Sequence, residues 1–108
     1  MVADVFPRRG EVWLVNLDPV VGREIAKTRP GIVVSPDELN AHLETVIVAP
    51  LKTTIKPWPF RVAVRFARRN GSIALDQMRA VDRGRLVRRL GRIDFAPMLA
   101  VLREMFAG

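Results

Sequence analysis

The segment FRVAVRFARRNGSIAL, residues 60–75, decides the fold of this chain. Its first half, Phe60–Phe66, alternates between large apolar residues and residues that are charged or small, which is the period of a strand with one buried face. The Asn70-Gly71 pair that follows is the strongest short-range signal for a hairpin turn, and Ser72–Leu75 can return as the second strand. The segment therefore predicts an antiparallel β-hairpin with its turn at Asn70-Gly71.

Further short segments along the chain are rich in apolar and β-branched residues and predict strands. They are Glu11–Leu17, Gly31–Val34, Thr45–Ala49, Met78–Val81 and Leu86–Ile93. Gly31–Val34 and Thr45–Ala49 are continuous apolar runs, as expected of strands buried on both faces. A layered α/β fold needs longer helices between its strands than this pattern offers. The sequence thus predicts a single domain, residues 1–108, of mainly β class: a small β-barrel with short helices.

Two helices are predicted beside these strands. Ser35-Pro36-Asp37-Glu38 has the residues of a capping box and opens a short helix through about Leu43. Asp94 can cap a terminal helix. The apolar residues of that helix recur three or four apart and form one face, at Phe95, Met98, Leu99, Leu102 and Met105/Phe106.

The composition excludes several kinds of site. The 108 residues contain no cysteine and a single histidine, His42, which rules out disulfides, cysteine-based metal sites and histidine clusters. We therefore expect no metal ion and no cofactor. No apolar stretch approaches the ~18 residues that cross a bilayer, and the N-terminus lacks the pattern of a secretion signal. A cytoplasmic protein without membrane contact is expected.

The charge of the chain predicts a polyanionic partner. Eighteen Lys+Arg oppose eleven Asp+Glu, which gives a formal net charge of +7, and the excess is concentrated in residues 79–92. A positive field of this size attracts polyanions such as nucleic acid. The alternative is a basic surface that only keeps the protein soluble.

Three polar features are candidates for a site. Arg29 precedes Pro30, which favours an extended arginine whose guanidinium can be aimed at a phosphate; pairing with an acid at a strand edge is the alternative. Glu24, earlier in the same loop, is a candidate base or a partner of that arginine. Trp58 lies between two prolines and can stack on an unpaired base or cover the core.

The sequence contains no catalytic triad, phosphate-binding glycine loop or metal-site motif. Cleavage of RNA needs none of these, because the 2′-hydroxyl is an internal nucleophile. The protein then has to position the phosphate, stabilise added negative charge and assist proton transfers. DNA lacks that nucleophile, so an enzyme with these residues is expected to act on RNA.

The motifs, taken in order, resemble the MazF/PemK family. They are Arg9–Trp13, Asp18–Glu24, Thr28–Ser35, Val48–Leu51, Pro59-Phe60 and Leu75–Leu86. The resemblance implies the toxin of a type II toxin–antitoxin system, with an SH3-like barrel of the CcdB/PemK type and a C-terminal helix. It further implies a homodimer that cuts single-stranded RNA, often mRNA, at specific sequences without metal and leaves 2′,3′-cyclic phosphate and 5′-hydroxyl ends. The implied partner is a cognate antitoxin whose acidic C-terminal tail covers the RNA groove.

The resemblance also implies roles for individual residues. Arg29 matches the family's catalytic arginine, and Glu24 matches a supporting acid in the preceding loop. We assign Arg29 an electrostatic role, because a guanidinium is a poor proton donor near neutral pH. RNA-binding residues are expected at Lys56, Trp58, Arg61, Gln77 and Arg79.

One position departs from the family pattern. The family usually has threonine or serine two residues after the position of Pro50, as its second catalytic group, whereas this chain has Lys52 there and threonine only at Thr53 and Thr54. Either Thr53 enters the site, or Lys52 binds the phosphate as a point charge, or the chain is a catalytically impaired homologue. Adjacent side chains of an extended segment point in opposite directions, so Lys52 and Thr53 are not expected to share one role. A toxin of the same fold that binds gyrase is a further alternative, although this chain lacks the Trp-Gly-Ile-like tail of those proteins.

Overall fold

The computed structural model describes residues 5–16 and 28–108. Over these ranges the chain forms the strands β1 (Glu11–Asn16), β2 (Thr28–Val33), β3 (Thr45–Lys52), β4 (Arg61–Phe66), β5 (Arg69–Ala74), β6 (Arg79–Asp82) and β7 (Leu86–Arg92). The helices are α1 (Asp37–His42) and α2 (Ala96–Met105), and short 3₁₀ turns lie at Leu75–Gln77 and Arg83–Arg85. Within the described ranges, no helix is both long and apolar enough to span a membrane.

The strands form one antiparallel sheet that curls strongly into a half-barrel. The order across the sheet is β4-β5-β3-β2-β1-β7, and β6 pairs with β3 off this path. The end strands β4 and β7 meet through side-chain packing, because the Phe66 ring lies so close to Gly91 that an added Cβ would come within 2.9 Å of it. The predicted mainly β fold with a C-terminal helix is confirmed.

The main core fills the inside of the half-barrel. Its buried side chains include Val12, Ile32, Ala49, Ile73, Leu75 and Met98, with Val62, Val64 and Phe66 of β4 packed against them. The β4 residues are those that the alternation of Phe60–Phe66 places on the apolar face. Along α2, Met98 is fully buried, whereas Met105 and Phe106 are 37% and 70% exposed. The predicted apolar face of this helix is therefore buried over its first turns and open to solvent at its end.

A second, smaller core lies on the other face of β1, β2 and β3. It consists of Val15, Val33, Val46, Val48 and Val81, with Trp13 and Leu86 packed against it. Neighbouring residues such as Ile32 and Val33 are both fully buried, on opposite faces. This confirms the prediction that the continuous apolar runs are strands covered on both sides.

The predicted position of the hairpin turn is wrong. The turn between β4 and β5 lies at Ala67 and Arg68, whose φ angles of 51° and 65° are left-handed, while Asn70 and Gly71 are inside β5. Gly71 is needed there for another reason, because a Cβ at this position would collide with the carbonyl oxygen of Lys52. The glycine therefore allows β5 to approach β3, and the Asn-Gly signal does not mark the turn.

The helix starts also differ in part from the prediction. Ser35 does not cap α1; its buried hydroxyl donates to Asn40 Oδ1 at 2.5 Å and accepts from the Ile47 backbone N–H at 3.0 Å. The helix begins at Asp37 without a side-chain cap. Ser35 is used to fix α1 to β3, and the capping box is not formed. At α2 the N-cap position is Phe95 and not the predicted Asp94. Asp94, one residue earlier, still accepts the first helical N–H, that of Ala96, on Oδ1 at 3.2 Å.

Candidate functional site

Three cations lie on one face of the sheet, the face of the smaller valine core. Val33 pairs with Val48 of β3, which pairs in turn with Arg79 of β6, and directly paired residues lie on the same face. Because side chains alternate along a strand, Arg29 lies on the side of Val33 and Lys52 on the side of Val48. The recorded pairing of β2 with β3 ends at Gly31 and Pro50. Continued by two residues, that register brings Arg29 opposite Lys52. We call Arg29, Lys52 and Arg79 the basic face.

Arg29 is an exposed residue near the start of β2. Its side chain forms no hydrogen bond or ion pair with any residue of the described ranges. Strand pairing with Val15 of β1 fixes its backbone. Strand β2 begins at Thr28, earlier than predicted, so Arg29 is placed by the sheet and not by a loop. The alternative that Arg29 pairs with an acid at a strand edge has no support among the described acids.

An apolar pocket of about 290 Å³ lies where β3 ends. Its apolar walls are Pro30, Leu51, Phe66, Ala67 and Leu90, and its polar lining comes from Lys52, Thr53, Arg69 and Asn70, with Gly71 between them. Lys52 and Thr53 both line this pocket. Strand β3 ends at Lys52 and Thr53 lies in a bend, so the alternation of the strand does not extend to Thr53.

The structure distinguishes the two threonines of this loop. Thr53 is exposed and lines the pocket. Thr54 does not line it; the backbone carbonyl of Thr54 accepts a hydrogen bond of 2.7 Å from the buried Ser72 hydroxyl of β5. This bond anchors the loop to the sheet. Of the two threonines, Thr53 is therefore the one that lines the pocket together with Lys52.

Trp58 is an exposed aromatic surface and does not cover the core. It is 43% exposed and belongs to neither core cluster. The Arg61 guanidinium lies over its ring at 4.9 Å from the centroid, and Lys56 Nζ lies at 5.6 Å. The Phe60 ring is tilted against it at 5.7 Å. Cations and a second ring hold the indole in place while leaving part of it open for stacking.

Arg61 is itself held by a two-pronged ion pair. Its Nε and Nη2 donate to the two carboxylate oxygens of Asp76 at 2.6 and 3.0 Å, and only 8% of its side chain is exposed. Hydrogen bonding by Arg61 is the largest cause that lowers the pKa of Asp76, and the nearby charges of Arg61 and Lys52 lower it further. The same hydrogen bond raises the pKa of Arg61. Asp76 therefore stays ionised, and Arg61 acts by fixing Trp58 more than as a free phosphate ligand.

The positive charge of Lys52, which lines the pocket, also lowers the pKa of Asp76, after the larger effect of Arg61. Gln77 follows Asp76 in the 3₁₀ turn and is exposed. Of the predicted site residues, Glu24 lies outside the described residues. Sequence reasoning missed Asp76 as the partner of Arg61, and it missed Arg69 because the Asn70-Gly71 signal assigned this segment to a turn.

Several arginines of the basic segment, residues 79–92, form ion pairs or hydrogen bonds within the fold. Arg89 forms an ion pair of 2.9 Å with the buried Glu11, and that carboxylate also accepts the Trp13 Nε1–H at 3.1 Å. Arg83 and Arg85 donate to backbone carbonyl oxygens of Val5 and Asn16. Part of the positive charge that the sequence analysis assigned to a polyanion is thus used inside the fold, and Arg79 remains on the basic face.

A curled β-sheet with a basic face, an apolar pocket and an exposed tryptophan forms a small half-barrel whose charge and aromatic surface suit a nucleic acid. The chain belongs to the PemK-like, MazF-like toxins of type II toxin–antitoxin systems, whose family model matches residues 8–105. The resemblance seen in the ordered motifs is thereby confirmed.

Individual relatives agree with this assignment. Endoribonuclease MazF9 of Mycobacterium tuberculosis is 34% identical over 101 residues, which cover 84% of this chain and 86% of that protein. The crystal structure of MazF from Deinococcus radiodurans has a TM-score of 0.76 at 24% identity and covers 97% of this chain and 100% of that one. An endoribonuclease from a mycobacterial species in complex with its cognate antitoxin has a TM-score of 0.75 at 24% identity, with 91% and 92% covered. These two structures show that the fold is shared.

Proposed function

We propose that this chain is an endoribonuclease toxin that cuts single-stranded RNA at the basic face without a metal ion. The observation that carries the proposal is the exposed guanidinium of Arg29, which has no partner among the described side chains and lies on the same face as Lys52. Membership of the toxin family and relatives named endoribonucleases support it. The proposed products are 2′,3′-cyclic phosphate and 5′-hydroxyl ends, at sequence-specific positions.

In the proposed reaction, the 2′-oxygen of one nucleotide attacks the adjacent phosphorus and the P–O5′ bond breaks. The 2′-hydroxyl gives up its proton, for which Glu24 is the candidate acceptor, and the departing 5′-oxygen takes up a proton from solvent water. Arg29 stabilises the additional negative charge on the non-bridging oxygens, where a preorganised cation has the largest effect. Lys52 contributes a second positive charge, and the Thr53 hydroxyl, beside it in the pocket, can donate a hydrogen bond to the same phosphate.

The RNA is proposed to run from this centre along the neighbouring aromatic and polar residues. Trp58 provides a stacking surface for an unpaired base, with Lys56 beside it and Arg61 beneath it. Gln77 and Arg79 are proposed to contact the chain further along the same surface. We also propose a cytoplasmic homodimer that is inhibited by an antitoxin, whose acidic C-terminal tail would compete with RNA for the basic face.

The test is cleavage of a long single-stranded RNA in excess EDTA, with the new ends mapped. The parent should cut at a recurring sequence, and Arg29→Ala should lose roughly 10²–10³-fold in rate, the usual effect of removing one charge-stabilising donor. Arg103→Ala, which removes an exposed arginine from α2, is the matched control and should cut like the parent. Equal rates for Arg29→Ala and Arg103→Ala would contradict the assignment of Arg29.

A second candidate function is RNA or antitoxin binding without cleavage, and Lys52 at the position of the family's catalytic hydroxyl is the observation that favours it. Lys52→Thr separates the two candidates. If the parent binds RNA but cuts none and Lys52→Thr cuts, the chain is an impaired homologue. If the parent cuts and Thr53→Ala does not, Thr53 supplies the hydroxyl.

A further inference from the structure

We propose that the pocket of about 290 Å³ at the end of β3 binds one unpaired nucleobase of the RNA, next to the phosphate that is cut. This inference rests on the proposed function and adds to it a specificity site that includes the β4–β5 hairpin, a part of the chain to which the motifs assign no role. A volume at or just below the small end of the range for ligand sites suits a single heterocycle.

The walls of the pocket have the chemistry of a base site. Pro30, Leu51 and Leu90 present apolar surface, and Phe66 contributes an aromatic ring. That ring lies against Gly91, where an added Cβ would meet it at 2.9 Å. An aromatic ring beside apolar side chains offers a stacking surface to a planar base.

The hairpin is held against the pocket at a conformational cost. Ala67 and Arg68 both have left-handed φ angles, 51° and 65°, which disfavour non-glycine residues by roughly 1–2 kcal/mol each. The Asn70-Gly71 pair, which would adopt such a turn readily, lies further along the chain inside β5. The turn thus keeps Ala67 and Arg69 on the pocket lining. Backbone conformations of this kind are concentrated at functional sites.

The charges around the pocket favour a nucleotide over an apolar ligand. Lys52 and Arg69 both line it, and neither forms a salt bridge within the described ranges. An apolar cavity can hold the uncharged base of a nucleotide, and cations beside the cavity can bind the phosphate that is attached to it. Lys52 lines the pocket and lies opposite Arg29, which is proposed to bind the cut phosphate, when the register of β2 and β3 is continued, so the base belongs to a nucleotide next to that phosphate. Arg69 is then in place to bind the neighbouring phosphate.

The experiment couples a change in the pocket with the removal of single bases from the ligand. RNA oligonucleotides that contain the mapped cleavage sequence, with a 2′-deoxy sugar at the cut position, are each given one abasic site. Their dissociation constants are measured by fluorescence anisotropy with the parent, Leu90→Ala and Leu102→Ala. Leu102 packs on the main core but does not line the pocket, which makes it the matched control.

One abasic position next to the cut should weaken binding to the parent roughly 5- to 150-fold, as expected for loss of one stacked base. The same position should have little effect in Leu90→Ala and its full effect in Leu102→Ala. Ala67→Asn is a second pocket variant, since asparagine tolerates a left-handed φ and adds a side chain at the pocket wall. If Leu90→Ala does not fold, Ala67→Asn takes its place in the test. In Ala67→Asn, too, the same abasic position should have little effect on the dissociation constant.

Several outcomes would overturn the inference. If the parent binds and cuts RNA but no abasic position depends on Leu90 or Ala67, the pocket does not hold a base and the proposed function stands. If the parent neither binds nor cuts RNA, the proposed function falls and this inference falls with it. If an acidic peptide with one apolar side chain binds in a Leu90-dependent way and RNA does not, the pocket belongs to a protein partner.

Discussion

The close approach of β5 to β3 at Gly71 gives the sharpest test of how this fold is built. Gly71→Ala would place a methyl group against the Lys52 carbonyl oxygen, closer than side chains are ever found. The backbone angle is not the obstacle, since the φ of Gly71 is not positive. The two strands must therefore separate where Lys52 pairs with Ser72, or the variant must tolerate the overlap.

The expected loss of stability follows from three contributions. Forcing an additional carbon into a filled space costs about 1–3 kcal/mol, and weakening the hydrogen bonding of the Lys52–Ser72 pair costs about 1 kcal/mol. The lower entropy of the unfolded chain with alanine returns about 0.4–1 kcal/mol. The free energy of unfolding should thus fall by about 1–3.6 kcal/mol, which corresponds to a Tm lower by roughly 4–29 °C.

The assay is urea and thermal unfolding of the parent, Gly71→Ala and Gly84→Ala. Gly84 is exposed, has no positive φ and has no atom within 4 Å of an added Cβ, so its alanine variant should be as stable as the parent or slightly more stable. The reasoning is refuted if Gly71→Ala unfolds together with Gly84→Ala. Since Lys52 and Gly71 line the same pocket, the destabilised variant should also cut RNA more slowly at a temperature where it remains folded.

Further predictions concern the core, the ion pair and the aromatic surface. Met98 is fully buried in the main core, so Met98→Ala should lower the free energy of unfolding by about 2–5 kcal/mol in urea titrations. Because Arg61 lowers the pKa of Asp76 below its usual 3.8, the ion pair stabilises the protein fully above that pH and is lost as the pH falls through the lowered pKa. The difference in stability between the parent and Asp76→Asn should therefore be constant from pH 7 to about pH 5 and shrink in stronger acid. Trp58→Ala should weaken RNA binding by about 1–3 kcal/mol, and Trp58→Phe should retain most of the affinity.

Matched controls accompany these variants. Met105→Ala changes the same side chain at an exposed position of α2 and should stay within about 0.5 kcal/mol of the parent. Val87→Ala removes an exposed apolar residue away from Trp58 and should bind RNA normally. A stability difference between the parent and Asp76→Asn that grows as the pH is lowered would contradict the sign of the pKa shift.

Much of the fold could be predicted because it depends on local patterns. The alternation of Phe60–Phe66 identified the face of β4 that packs on the core, and the continuous apolar runs identified strands covered on both sides. Where the prediction failed, contacts with residues elsewhere in the chain determine the structure. Gly71 lets β5 approach β3, and the Ser35 hydroxyl forms hydrogen bonds with Asn40 and Ile47. In both cases a residue suited to a local turn or cap has a different role in the folded chain.

For the candidate site, too, the residues could be predicted from local sequence but their arrangement could not. Arg29, Lys52 and Thr53 could be named from ordered motifs, and Trp58 from its place between prolines. How these residues are placed relative to one another depends on strand register and on where β3 ends. The partner of Arg61 is Asp76, fifteen residues away, and the role of Arg69 depends on a turn position that the sequence signal misplaced.

The pairing of β1 with β7 has a consequence for synthesis of the protein. Glu11 and Arg92 are neighbours in the sheet although most of the chain separates them, and translation proceeds at about 5–20 residues per second. The N-terminal strand therefore leaves the ribosome roughly 4–16 s before the strand that completes its pairing. Contacts between such distant segments also form slowly once both are present. The fold can be completed only after β7 and the core residue Met98 have been translated. Until then, the ribosome that makes this toxin carries no finished basic face beside its own mRNA.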